Sequence, residues 1–98
     1  MSKKINPSTL LAHDKNNSSL YHGAVVPPIF QNSLFTFGSW EAIDSAFENR
    51  ENSYNYSRGK NPTVKLVEEK LAQLACGEKA QLFPSGMAAI TAACLHCL

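Results

Sequence analysis

The sequence predicts an α/β fold in its second half, and three observations carry that prediction. Apolar residues recur at helical spacing from Pro62 to about Cys76; a short apolar run follows at Ala80–Phe83; and a second helical stretch opens after Ser85 and continues to Cys97. Helix, strand and helix in that order are the repeating grammar of α/β proteins. The first half reads differently, as an arm with little regular structure.

Taken in chain order, Met1 to Asn17 is polar apart from Leu10-Leu11-Ala12, which suits one or two helical turns after Ser8. From Ser18 to Phe37 the chain mixes apolar residues with Gly23, Pro27 and Pro28. Pro28 forces Pro27 into an extended conformation, so a long helix is excluded and an extended segment laid on another surface is expected. Ser39 is a good cap for a helix carrying Glu41 in its first turn. Trp40, Ile43 and Phe47 would form one apolar face, ending near Asn49. Asn49 to Asn55 is polar and loop-like.

Asn61-Pro62 opens the next helix. Asparagine caps well, and proline suits the first helical position because its missing N–H would have had no partner there. Val64, Val67, Leu71 and Leu74 share one side of this helix, Lys65 and Glu69 pair on the other, and Gly77 is placed to terminate it. Ala80–Phe83 then reads as a short buried strand, with Ser85 capping the helix that follows.

Composition narrows the function classes. The 98 residues are 44% hydrophobic, with nine basic and eight acidic side chains and a formal charge of +1. No basic run exceeds Lys3-Lys4, so neither a nucleic-acid nor an acidic-membrane partner is expected. No apolar stretch approaches the ~20 residues of a membrane span and nothing resembles a secretory leader, which makes the cytoplasm the expected compartment. Three cysteines, Cys76, Cys94 and Cys97, form no disulfide framework. Cys94-Leu95-His96-Cys97 has a C-x-x-C spacing. However, Met87, Ile90, Cys94 and Cys97 share a helix face, where cysteine serves as a small hydrophobe, and no metal site is expected.

Two segments carry chemistry suited to an anion. A strand turning tightly into a helix leaves amides unpaired at the positive end of the helix dipole, so Ser85, Gly86 and Met87 offer a hydroxyl, close backbone approach and a further amide. The commoner use of Ser-Gly at a helix start is simple capping. Tyr56 and Arg58, two apart on a segment expected to be extended, would point the same way and grip one oxyanion through a phenol and a guanidinium fork. A Tyr-x-Arg pair is also commonly a surface ion pair with aromatic cover. His22, before a glycine in the expected extended segment, reads as a local hydrogen-bonding residue and not a base, and His96 has no visible partner.

The ordered set is more specific than its parts. Gly23-Ala24-Val25-Val26-Pro27-Pro28-Ile29, Tyr56-Ser57-Arg58 with Asn61-Pro62-Thr63, Val67-Glu68 with Leu71, and Ser85-Gly86-Met87-Ala88-Ala89-Ile90 stand in that order. From about residue 20 onward the chain resembles the amino-terminal part of the Cys/Met-metabolism pyridoxal-phosphate enzymes. These include cystathionine γ-synthase, cystathionine β- and γ-lyases, methionine γ-lyase and O-acetylhomoserine sulfhydrylase.

The resemblance implies the major domain of a fold type I, aspartate-aminotransferase-like transferase. Residues 1–60 would be an arm and phosphate loop contacting a neighbouring subunit, and 61–98 the start of the cofactor-binding domain. It implies pyridoxal 5'-phosphate as cofactor, with Ser85, Gly86 and Met87 on the phosphate of their own subunit and Tyr56 and Arg58 on the neighbour's. A homo-oligomer, a dimer of dimers in the family, would act on an amino-acid substrate by β/γ-elimination or γ-replacement. No catalytic residue falls in this chain: the lysine that carries the cofactor is expected further downstream, and Lys60 belongs to the phosphate turn with a solvent or phosphate contact. Where many relatives have glycine directly before Asn-Pro-Thr, this chain has Gly59-Lys60, which bears on substrate preference more than on cofactor binding. The alternative is a non-catalytic remnant or assembly partner of a full-length relative, and the chain alone is expected to be inactive.

Overall fold

The computed structural model describes residues 5–12 and 21–98, and four helices organise them. They are α1 (Pro7–Ala12), α2 (Trp40–Glu48), α3 (Pro62–Leu74) and α4 (Gly86–Cys97), with a 3₁₀ turn at Arg50–Asn52 after α2. Each begins for a local reason. Asn6 Oδ1 accepts from Ser8 N at 2.9 Å at the start of α1, so that helix opens at Pro7, slightly earlier than the sequence suggests. Ser39 Oγ accepts from Ala42 N at 3.1 Å, Asn61 Oδ1 from Thr63 N at 2.9 Å and Ser85 Oγ from Ala88 N at 3.1 Å. All three caps expected from the sequence are formed.

The end of α3 differs from expectation. The left-handed residue is Cys76, at φ 55°, not Gly77. Gly77 N donates to Ala72 O at 2.8 Å and Cys76 N to Gln73 O at 3.2 Å, the paired bonds of a Schellman stop. Helix length fixes which residue must turn, and the helix ends one residue before the glycine could serve. At Tyr21–Ala24 a turn closes with Ala24 N on Tyr21 O at 3.0 Å, with His22 at φ 54° and Gly23 at φ 83°. This turn and the bend at Val25–Val26 that follows it fall within the stretch expected to be extended.

Ala80–Phe83 is not the buried strand that was expected. A strand needs a neighbour to complete its ladder, and among the described residues nothing lies alongside it: Leu82 and Phe83 are exposed, and Leu82 N donates instead to Glu68 Oε1 at 2.9 Å. Among those residues the β pairing is one antiparallel bridge, Leu34 with Tyr56.

Tertiary order is concentrated near the start of α3. The chain from Phe30 to Leu34 crosses that helix end and the turn before it, while α1 lies against α3 with Lys70 Nζ donating to Leu11 O at 3.3 Å. The apolar faces are otherwise uncovered within the chain. Ala46 and Ala72 are the buried hydrophobic residues among those described, whereas Trp40, Phe47, Val64, Val67 and Leu71 of the expected helix faces are all exposed. Helix α4 is apolar nearly all round, with only Thr91 and His96 polar, and none of its residues is buried. A helix of that composition is built to be enclosed by other elements.

Candidate cofactor-phosphate site

The amino terminus of α4 is the first half of the candidate site. Ser85 is extended, at φ −149° and ψ 155°, and its hydroxyl oxygen takes the amide of Ala88 while its carbonyl takes that of Ala89 at 3.2 Å. The amides of Gly86 and Met87 stay outside this intrahelical pairing. They sit at the positive end of the helix, and the Ser85 hydroxyl proton is still free to donate. A Cβ built on Gly86 would meet nothing within 4 Å, so packing inside the chain does not dictate the glycine. Two free amides, a hydroxyl and open space above a glycine are a donor set that fits a phosphate group.

The second half lies between the arm and α3. Tyr56 pairs with Leu34, but the residues after it do not continue extended: Tyr56 O accepts from both Gly59 N at 3.0 Å and Lys60 N at 2.9 Å, closing Ser57-Arg58-Gly59 into a tight turn. The side-chain alternation expected for an extended Tyr-x-Arg therefore does not apply. Arg58 is exposed and forms no ion pair with any described residue. Tyr56, about half exposed, borders a cleft of about 490 Å³ with Phe47, Arg50 and Asn55. Arg58 borders another of about 520 Å³ with Lys65, Glu68, Phe83 and Pro84. Lys60 lines both clefts, and Ser85, Gly86 and Met87 line neither. In these two clefts the Tyr56 and Arg58 groups stand apart from the donors of Ser85 to Met87.

Sequence reasoning missed three features. Tyr54 is an aromatic platform: its ring stacks obliquely on Phe35 with centroids 5.8 Å apart, and Lys60 Nζ and Lys65 Nζ lie 5.6 and 6.0 Å from its centre. Lys60 is thereby held against protein as well as facing the clefts. Asn61, expected only as a cap, is the buried polar residue of the described chain at 7% exposure and bonds three segments together. Its low exposure has no local sequence signal, because the residues that cover it come from thirty positions upstream. Asn55, third, donates to Ala46 O at 3.4 Å while its buried Oδ1 has no partner among the described residues. Gly59 carries less weight than its sequence suggests: it is not in the left-handed region, and a Cβ there would meet only Tyr56 O at 3.5 Å, an ordinary contact.

A helix amino terminus with free amides, a hydroxyl and an open glycine, accompanied by a separate arginine turn, is the kind of donor arrangement that can take an anionic group. The profile of the Cys/Met metabolism PLP-dependent enzymes matches residues 8–98, and the chain belongs to that family. Membership implies fold type I, and the family's cofactor is pyridoxal 5'-phosphate. Among similar proteins, an L-methionine gamma-lyase of Pseudomonas deceptionensis is 38% identical over 85 residues, 87% of this chain and 21% of that protein. A cystathionine gamma-synthase of Haemophilus influenzae is 39% identical over 84% of this chain and 20% of its own length. An O-acetyl-L-homoserine sulfhydrylase of Corynebacterium glutamicum is 41% identical over 70% of this chain and 16% of its own. The chain spans about a fifth of the length of these relatives. No helix among the described residues is long and apolar enough to cross a membrane.

Proposed function

We propose that this segment supplies the cofactor-phosphate end of an enzyme of sulfur amino-acid metabolism. Its reaction is β/γ-elimination or γ-replacement on cystathionine, methionine, homocysteine or an O-acyl-homoserine. The observation that carries the reading is the α4 terminus, where the Gly86 and Met87 amides and the Ser85 hydroxyl are available to a phosphate and no side chain fills the space at Gly86. When bound, pyridoxal phosphate supplies an electron sink that stabilises charge developing beside the substrate amino group. The part played by this chain is to hold the phosphate, so that the ring keeps one orientation while bonds rearrange elsewhere.

In this proposal residues 1–60 are an arm and phosphate turn that reach a neighbouring subunit, and residues 61–98 begin the cofactor-binding domain of their own. Tyr56 and Arg58 serve the neighbour's phosphate within a homo-oligomer. What supports this is that Arg58 is exposed, forms no ion pair with a described residue, and lines a cleft that excludes Ser85 to Met87. The lysine that carries the cofactor lies outside these 98 residues, and Lys60 is engaged with Tyr54. A cytoplasmic enzyme suits the three cysteines, all exposed and free.

Two variants of the holoenzyme test the arrangement. Arg58→Ala removes a charge-assisted contact and should weaken cofactor binding by about 1.5–3 kcal/mol, whereas an unchanged dissociation constant would remove Arg58 from the site. Mixing Arg58→Ala subunits with Gly86→Asp subunits should then restore one intact pocket in each mixed dimer, because the two lesions fall in the same pocket and spare the other. If one chain furnished both sets, every pocket would carry a lesion and no activity would return.

A further inference from the structure

The polar bonds at the start of α3 do more than cap a helix. Asn61 Oδ1 accepts from Thr63 N, which is the cap; Asn61 Nδ2 donates to Phe30 O at 3.0 Å and to Ser57 Oγ at 3.0 Å. With its oxygen lone pair engaged by Asn61, the Ser57 hydroxyl donates to Asn32 O, and Ser57 N donates to Ser33 O at 2.9 Å. Thr63 Oγ1 accepts from Phe30 N at 2.9 Å, so both backbone groups of Phe30 are held by residues of the α3 start. Every donor and acceptor in this cluster is consistent with a single orientation of the Asn61 amide.

Its position gives the cluster a consequence. Ser57 is clamped at both its amide and its hydroxyl, and it stands directly between Tyr56 and Arg58. Neither flanking side chain is fixed by an ion pair among the described residues, so the backbone of this turn decides where they can reach. We propose that Asn61, acting through Ser57, is a positioning residue that locks the Tyr56–Arg58 turn to the Phe30–Leu34 segment of the arm, and so sets the geometry with which that turn meets an anionic cofactor group. The inference rests on the assignment of Tyr56 and Arg58 to a cofactor phosphate.

Capping and latching separate in one substitution. Asn61→Asp keeps an oxygen acceptor for Thr63 N, and aspartate caps as well as asparagine, but it loses both donations from Nδ2. The Ser57 hydroxyl would turn toward the new carboxylate, releasing Asn32 O and leaving Phe30 O without its donor. Ser57→Ala removes the middle of the latch and leaves the cap untouched, which covers the case in which the first variant does not fold. Ser57→Thr retains the hydroxyl and should recover the parent behaviour.

The experiment has two readouts. In the apo protein, amide hydrogen exchange at Ser57 should accelerate about tenfold or more in Asn61→Asp and in Ser57→Ala, while exchange within the body of α3 stays at the parent rate. In the holoenzyme, the dissociation constant for pyridoxal phosphate should rise by a similar factor, with Ser57→Thr close to the parent. Parent-like exchange at Ser57 and parent-like cofactor affinity in both variants would overturn the latch. Equal acceleration along all of α3 would also overturn it, since that is the mark of a lost cap. If Arg58→Ala leaves affinity unchanged while Ser57 exchange still accelerates in Asn61→Asp, the phosphate assignment fails and the mechanical link stands.

Discussion

Cys76 shows how much one backbone angle can say about a residue. It occupies the left-handed position of the α3 stop, where an L side chain crowds the following carbonyl and glycine does not. Cys76→Gly should therefore raise the unfolding free energy by about 0.5–1 kcal/mol, measured by denaturant titration of the protein that carries this segment. Gly77→Ala should change it by less than about 0.5 kcal/mol, because Gly77 has an ordinary φ and a Cβ there meets only Ala72 O and Lys79 O, each at 3.9 Å. The opposite ranking would show that the helix ends one residue later in solution. The same reasoning at Lys60 is electrostatic: its ammonium is held near the Tyr54 ring and lines both clefts, so it adds positive charge to each.

Among the elements, helix starts are worth more than exposed ion pairs. Ser39 Oγ relieves an amide of α2 that would otherwise face water or nothing, and Ser39→Ala should cost about 1 kcal/mol. Lys65 and Glu69 approach to 3.9 Å with both side chains roughly half exposed, so Lys65→Gln should cost no more than about 0.5 kcal/mol and less as salt rises. A larger loss on Lys65→Gln, unrelieved by salt, would point to its contact with Tyr54 as the more important one. The Ala80–Phe83 segment belongs to this scale too. It is tied to α3 by Leu82 N donating to Glu68 Oε1, with no strand ladder among the described residues. Asn61 Nδ2 donating to Phe30 O and Phe30 N donating to Thr63 Oγ1 cross the boundary expected near residue 60, so the Phe30 segment and α3 share one anchored junction.

At the scale of the whole molecule, surface area is decisive. The chain exposes 8506 Å², against about 5,500 Å² for a compact monomer of its 10.7 kDa mass. Its radius of gyration of 16.1 Å exceeds the roughly 13 Å of a compact domain this long. With alanines as the buried apolar residues among those described, the segment by itself should unfold over a broad range and bind a hydrophobic dye, while keeping helical circular dichroism. A sharp, dye-silent transition would contradict that expectation, as would release of ammonia and a keto acid from methionine or cystathionine by the 98 residues alone. What the sequence determined by itself is local: the caps at Ser39, Asn61 and Ser85, the helical stretches they open, the donors at Ser85 to Met87, and the ordered motifs that identify the family. Those depend on bonds between residues a few positions apart, which spacing alone can specify. Tertiary structure decided the rest. It tied Ser57 to Asn32 and Ser33, left Ala80–Phe83 without a ladder among the described residues, divided Tyr56 and Arg58 between two clefts, and made Asn61 a junction between the Phe30 segment and α3. Each of these depends on which distant segment, if any, lies alongside, and no local pattern of residues encodes that neighbour.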